Sequence, residues 1–153
     1  MLETLQGPLT VLGRLLLGTI FFMAAIGNKI PHFSDVAKYM ESAGVPAPQF
    51  MLAGAIAFLL VGSVSVIAGY KARVGAALLF TFLVLASYYF HAFWKLEGQA
   101  QQEQMIQFMK NLSMMGAMLF VMANGSGPMS LDSWLARRQP APAVDAVSFA
   151  RAG

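Results

Sequence analysis

Four long apolar stretches joined by short polar connections make up most of this chain, and they decide what it can become. They run from Leu9 to Ile26, Phe50 to Tyr70, Val74 to Trp94 and Met105 to Asn124. The second carries no charge and the third only the titratable His91, while the first is interrupted by Arg14 and the fourth by Lys110. A helix crosses the hydrocarbon of a bilayer in about 20 residues and hydrogen-bonds its whole backbone internally. Four such stretches predict an all-α chain, a membrane four-helix bundle whose first partner is the lipid bilayer. The fourth is the weakest: its purely apolar part starts at Asn111, and it reaches spanning length only with Met105–Lys110, the lysine snorkelling or buried against protein.

Composition excludes the competing classes. Of 153 residues, 58% are hydrophobic and 11% charged, against roughly 25% charged in a soluble domain. That leaves too little polar surface for a globule in water or a disordered regulator. The net charge of +3 is scattered, with no run of Lys or Arg alternating with aromatics, so a nucleic-acid partner is not expected. There is no cysteine, which removes disulfides, thiolate metal sites and cysteine-ligated clusters.

Between the spans the chain is punctuated. The N-terminus carries Glu3, and the first run ends in Ile26-Gly27-Asn28-Lys29 rather than a small-x-small site, so it reads as a retained helix and not a signal peptide. Within Asn28–Gln49, Phe33, Val36, Ala37, Tyr39 and Met40 recur at helical spacing beside Asp35, Lys38 and Glu41. That pattern predicts a short interfacial helix between helices 1 and 2. Gly69–Arg73 is a tight turn, and Lys95–Gln107 reads as a glutamine-rich loop. One domain over residues 1–135 is expected, followed by a disordered cytoplasmic tail over 136–153, rich in Pro, Ala and Arg. Lys71, Arg73, Arg137, Arg138, Arg151 and Arg14 fall on the side of the termini, against Lys29, Lys38, Lys95 and Lys110 opposite. That excess favours cytoplasmic N- and C-termini.

Several ordered pieces resemble the DoxX family of integral membrane proteins. They are Gly13-Arg14-Leu15-Leu16-Leu17-Gly18, Gly27-Asn28-Lys29 and Gly69-Tyr70-Lys71-Ala72-Arg73. Further along come His91-Ala92-Phe93-Trp94, Phe108-Met109-Lys110-Asn111-Leu112, and Gly125-x-Gly127 before Ser130-Leu131-Asp132. The resemblance spans residues 9 to 135. It implies a four-helix bundle in the bacterial cytoplasmic (inner) membrane and association with quinone-linked sulfur oxidation, quinone or catechol resistance, or oxidative-stress complexes. It therefore implies quinone as the cofactor, a role as a quinone-linked oxidoreductase subunit, and a partner redox enzyme. Many members carry a glutamate in the second helix four residues before a glycine; counting back from Gly62, this chain has Phe58.

Two constellations could carry function. Arg14 lies inside the first span, where a guanidinium costs about 3 kcal/mol on insertion scales, so it should face protein or water. The fourth helix returns to that side and delivers Asp132, which predicts a structural ion pair, Arg14–Asp132. The alternative is that Arg14 holds a quinone carbonyl or lipid phosphate. At the opposite end Lys29, His91, Trp94, Lys110 and Asn111 converge if the helices form one bundle. His91 is the candidate catalytic proton carrier. The lysines and the asparagine would hold a quinone oxygen or a small oxyanion, with Trp94, Tyr88 and Phe108 against a ring. The plainer alternative is a satisfied histidine with snorkelling lysines and interfacial aromatics.

Other patterns ask for less. His32 and His91 share a side, but nothing in their spacing demands haem ligation, and no metal site is expected. Met114, Met118 and Met122 form a stripe that suits packing. Gly13, Gly18, Gly54 and Gly75 would let helices approach closely, and a homo-oligomer is compatible with all of this. Two readings stay open: a membrane component of a redox system that binds a quinone or small aromatic, or a noncatalytic anchor for a partner enzyme.

Overall fold

The computed structural model describes residues 2–138. Helix α1 (Leu2–Ala24) runs into a π-helical turn (Ala25–Lys29), and then come α2 (Phe33–Ser42) and α3 (Pro48–Ala68). After them follow α4 (Ala72–Phe90), a 3-10 turn (Phe93–Lys95), α5 (Gly98–Asn124) and α6 (Leu131–Arg138). The segments Leu5–Lys29, Pro48–Ala68, Ala72–Lys95 and Gly98–Asn124 are each long and apolar enough to cross a membrane. Over the described residues the chain is all-α, with four such helices.

Local sequence sets the boundaries. Pro48 opens α3 at the first helical position, where its missing N–H costs nothing. Gly69 closes α3 in the left-handed conformation (φ +65°), and α4 starts after Lys71, which also has a positive φ. The turn is so short that α3 and α4 lie antiparallel as neighbours.

In space, α1 packs on α3, α3 on α4, and α4 on α5, while α2 lies against α3. Phe21, Leu59, Leu79, Leu83 and Met118, one or more from each long helix, share a buried core. Lipid is as apolar as these side chains, so close backbone approach rather than water exclusion drives the packing. A Cβ on Gly62 would sit 2.9 Å from the Gly75 carbonyl oxygen, and one on Gly75 2.9 Å from that of Gly62. Gly18 likewise presses on Ile67 of α3. Of the glycines expected to bring helices together, Gly18 and Gly75 do so. Gly13 and Gly54 face open space, because their Cβ directions point away from the neighbouring helices.

The structure also departs from the sequence reading at the ends of several elements. The glutamine-rich stretch expected to be a loop is helical from Gly98, which makes α5 27 residues long. At 1.5 Å per residue that is about 40 Å, more than the ~30 Å of hydrocarbon, so its first turns stand clear of the apolar layer and their glutamines are compatible with a helix. The third helix ends at Phe90 rather than Trp94, because the backbone breaks at His91 (φ −123°, ψ 33°). Finally, α6 continues to Arg138, three residues into the segment read as a disordered tail. The rest of that segment, 139–153, lies outside the described residues. The short helix expected between the first two spans is α2, which buries Ala37 and Met40 against Leu52 of α3.

Candidate functional site

The two ends of the bundle are built differently. At the turn end, Arg14 is 5% exposed and held by carbonyls. Its Nη1 donates to Ser126 O at 2.9 Å and its Nη2 to Met129 O at 2.7 Å. Asp132 accepts from the Lys71 amide at 3.0 Å and from Ser126 Oγ, and its own amide donates to Gly69 O at 3.0 Å. The ion pair expected between Arg14 and Asp132 is therefore not a direct contact. Ser126 stands between them, giving its carbonyl to one and its hydroxyl to the other. The physical reason is local: the carboxylate sits at the N-terminus of α4, where unpaired amides and the helix dipole favour it. Gly69 makes the room, since a Cβ there would collide with the Arg14 guanidinium. Arg73 completes this end by donating to Ala123 O at 3.3 Å, satisfying a carbonyl in the last turn of α5.

The opposite end holds a half-open cavity of about 390 Å³ between α1, α2, α3, α4 and α5. Phe21, Leu52, Phe82, Leu83 and Met114 are among its apolar walls, Tyr39 and Met40 come from α2, and Asn28, Lys29, His91 and Asn111 supply polar groups. No carboxylate lines it. The size is that of a small-molecule site, mostly apolar with a few placed polar groups.

Each polar group is positioned by a particular local feature. The π turn, closed by Ile30 N–H to Ala25 O at 2.9 Å, carries Asn28 and Lys29 to the cavity, and Lys29 Nζ lies 5.5 Å from the centre of the Phe82 ring. His91 sits where α4 breaks; its Nδ1–H donates to Gln104 Oε1 at 2.8 Å. That tautomer, assigned from the partner, leaves Nε2 with the lone pair. Asn111 donates from Nδ2 to Ser87 Oγ at 3.1 Å, joining α5 to α4 and keeping one N–H and its carbonyl oxygen.

Of the five binding residues expected here, Lys29, His91 and Asn111 come together around the cavity. Lys110 and Trp94 do not line it. Neighbouring residues on a helix point about 100° apart, so with Asn111 inward Lys110 is exposed, beside Met105, Ile106 and Met109 on the outer face of α5. Trp94 is 53% exposed and packs edge-on against Phe93 and Phe108. The sequence reading missed Gln104, Ser87 and Phe82 as partners, and Tyr39 as part of the wall. His32 precedes α2 and does not line the cavity. Among the described residues, no three His, Asp or Glu side chains gather as a metal site.

Phe58, where the family resemblance led us to expect glutamate, faces a smaller cavity of about 170 Å³ beside the first. Its walls include Phe50, Met51, Phe82, Leu85 and Phe90. An aromatic ring suits that lining.

Comparison with known proteins agrees with this architecture. The model of the DoxX family matches residues 9–92. The chain is 30% identical over 125 residues to "Inner membrane protein YphA" of Escherichia coli K12, covering 81% of this chain and 88% of that protein. It is 28% identical over 137 residues to "Inner membrane protein YqjF" of the same organism, covering 90% and 99%. No solved structure matches. The family match runs from the first helix through the His91 break, and with the four apolar helices it places the chain in the DoxX family of membrane proteins.

Proposed function

We propose that this protein is a multi-pass inner-membrane component of a redox system that holds a quinone, or a small aromatic of similar shape, in the cavity at the Lys29–His91 end. The observation that carries the reading is the pairing of apolar walls with the polar groups of Asn28, Lys29, His91 and Asn111 and no acid. A quinone presents that profile: a flat apolar ring with acceptor oxygens. Lys29 and Asn111 supply donors for an oxygen, Phe82 and Phe90 are aromatic walls beside a ring, and His91 Nε2 keeps a lone pair that can accept a hydrogen bond. A bound quinone would supply the electron-carrying chemistry that the side chains themselves do not. A small oxyanion could use the same donors but would leave the apolar walls unused. The names of both E. coli relatives support the inner membrane as the location. The cations Lys71, Arg73, Arg137 and Arg138 at the turn end support cytoplasmic termini.

The test is extraction of the purified protein and an ultraviolet spectrum of the organic phase before and after reduction. Wild type should release a reducible quinone in near-stoichiometric amount, and His91→Ala and Lys29→Gln should lose most of it. Quinone-free protein that co-purifies with a stoichiometric redox enzyme would favour the anchoring role instead.

A further inference from the structure

We infer that the α3–α4 turn carries a specific binding site for one anionic phospholipid. Two hollows meet there. One, of about 480 Å³, is open and carries charge at its rim, with Lys71, Arg73, Asn124, Ser126, Ser130 and Asp132 among its walls. The other, of about 600 Å³, is an apolar groove along the surface of α3 and α4, with Val61, Val64, Leu78 and Leu131 among its walls. Lys71 and Val74 line both. A charged basin thus opens directly onto a hydrocarbon channel, which is the shape of a headgroup followed by an acyl chain.

The charges favour an anion. Lys71 and Arg73 are exposed, and the Lys71 ammonium lies 5.7 Å from the Tyr70 ring centre, which holds it at the rim. Arg73 spends one donor on Ala123 O and keeps the rest of its fork. The one carboxylate in the basin, Asp132, is turned inward onto the Lys71 amide and Ser126 Oγ, so it is already satisfied and partly neutralised by the start of α4. Val61 and Val64 are 59% and 52% exposed, so the groove lies on the surface that meets lipid. A phosphate alone would use the basin and leave the groove empty. The continuity of the two is what selects a lipid.

The experiment is native mass spectrometry of the full chain in nonionic detergent, offered equimolar phosphatidylglycerol and phosphatidylethanolamine with identical acyl chains. Wild type should retain the anionic lipid over the zwitterionic one by roughly 30-fold, as two juxtamembrane cations imply. Lys71→Gln with Arg73→Gln should abolish that preference. Lys38→Gln with Lys95→Gln removes the same charge elsewhere and should leave it intact. Val64→Trp, which fills the groove on an exposed position, should weaken retention of both lipids. Melting curves near wild type identify the variants that are folded. Equal retention of the two lipids by wild type overturns the proposal, as does equal loss in both lysine-containing pairs. Unchanged retention in Val64→Trp, with inorganic phosphate displacing the lipid, reduces the site to an anion patch and also overturns it.

Discussion

The turn end and the cavity end of this bundle both bring cations beside apolar helices, yet they treat their polar groups in opposite ways. At the turn end, Arg14, Ser126 and Asp132 are tied to one another or to the backbone, with only Arg14 Nε lacking a partner. At the cavity end, Lys29 has an aromatic face, while His91 and Asn111 have one hydrogen bond each and further capacity. A buried network with its capacity consumed holds structure; one with capacity to spare can accept a ligand. The contrast separates residues whose loss unfolds the protein from residues whose loss empties it.

Gly69→Ala should break the turn end most severely. The new methyl meets the Arg14 guanidinium and lies 2.6 Å from Ser130 Cβ, at a φ of +65°. We expect a loss of roughly 3 kcal/mol or more, seen as failure to survive detergent extraction. Arg14→Leu should follow, costing about 2–3 kcal/mol in thermal unfolding as the buried Ser126 carbonyl and the part-buried Met129 carbonyl lose a charged donor. Because Ser126 mediates, a cycle of Arg14→Leu with Asp132→Asn should show coupling of only about 1 kcal/mol or less. A larger coupling would restore the direct ion pair. Smallest should be the cavity end: Lys29→Gln, His91→Ala and Asn111→Ala are each expected to change stability by less than about 1 kcal/mol. If His91→Ala unfolds the protein as Arg14→Leu does, the contrast between the ends disappears.

The architecture was legible because apolar length and charge position are one-dimensional properties. Runs without charge identified the spans, and the return of α5 to the turn end put Asp132 near Arg14. What stayed hidden depends on rotation about a helix axis or on winding. Asn111 and Lys110 are adjacent in sequence and cannot be separated by spacing alone, yet one faces the cavity and the other is exposed on the outer face of α5. Gln104 sits in a stretch whose polarity suggests a loop, and only the long α5 brings it to His91. Gly62 was not among the glycines expected to bring helices together, because nothing in its neighbourhood distinguishes it from Gly54, which faces open space. Phe58 was visible as a departure from a family pattern, and its apolar surroundings supply a physical context that the sequence could not.

The π turn at Ala25–Lys29 has a consequence for how this site can vary. A wide turn amounts to one surplus residue threaded into an otherwise ordinary helix. Rewinding that stretch as ordinary α-helix with every residue kept would swing everything after it by about 100°. The ammonium would leave the cavity while Gly18 and Phe21, earlier in the chain, kept their places against α3 and the core. Whether this helix offers a cation to the cavity is thus written in the pitch of a few backbone units.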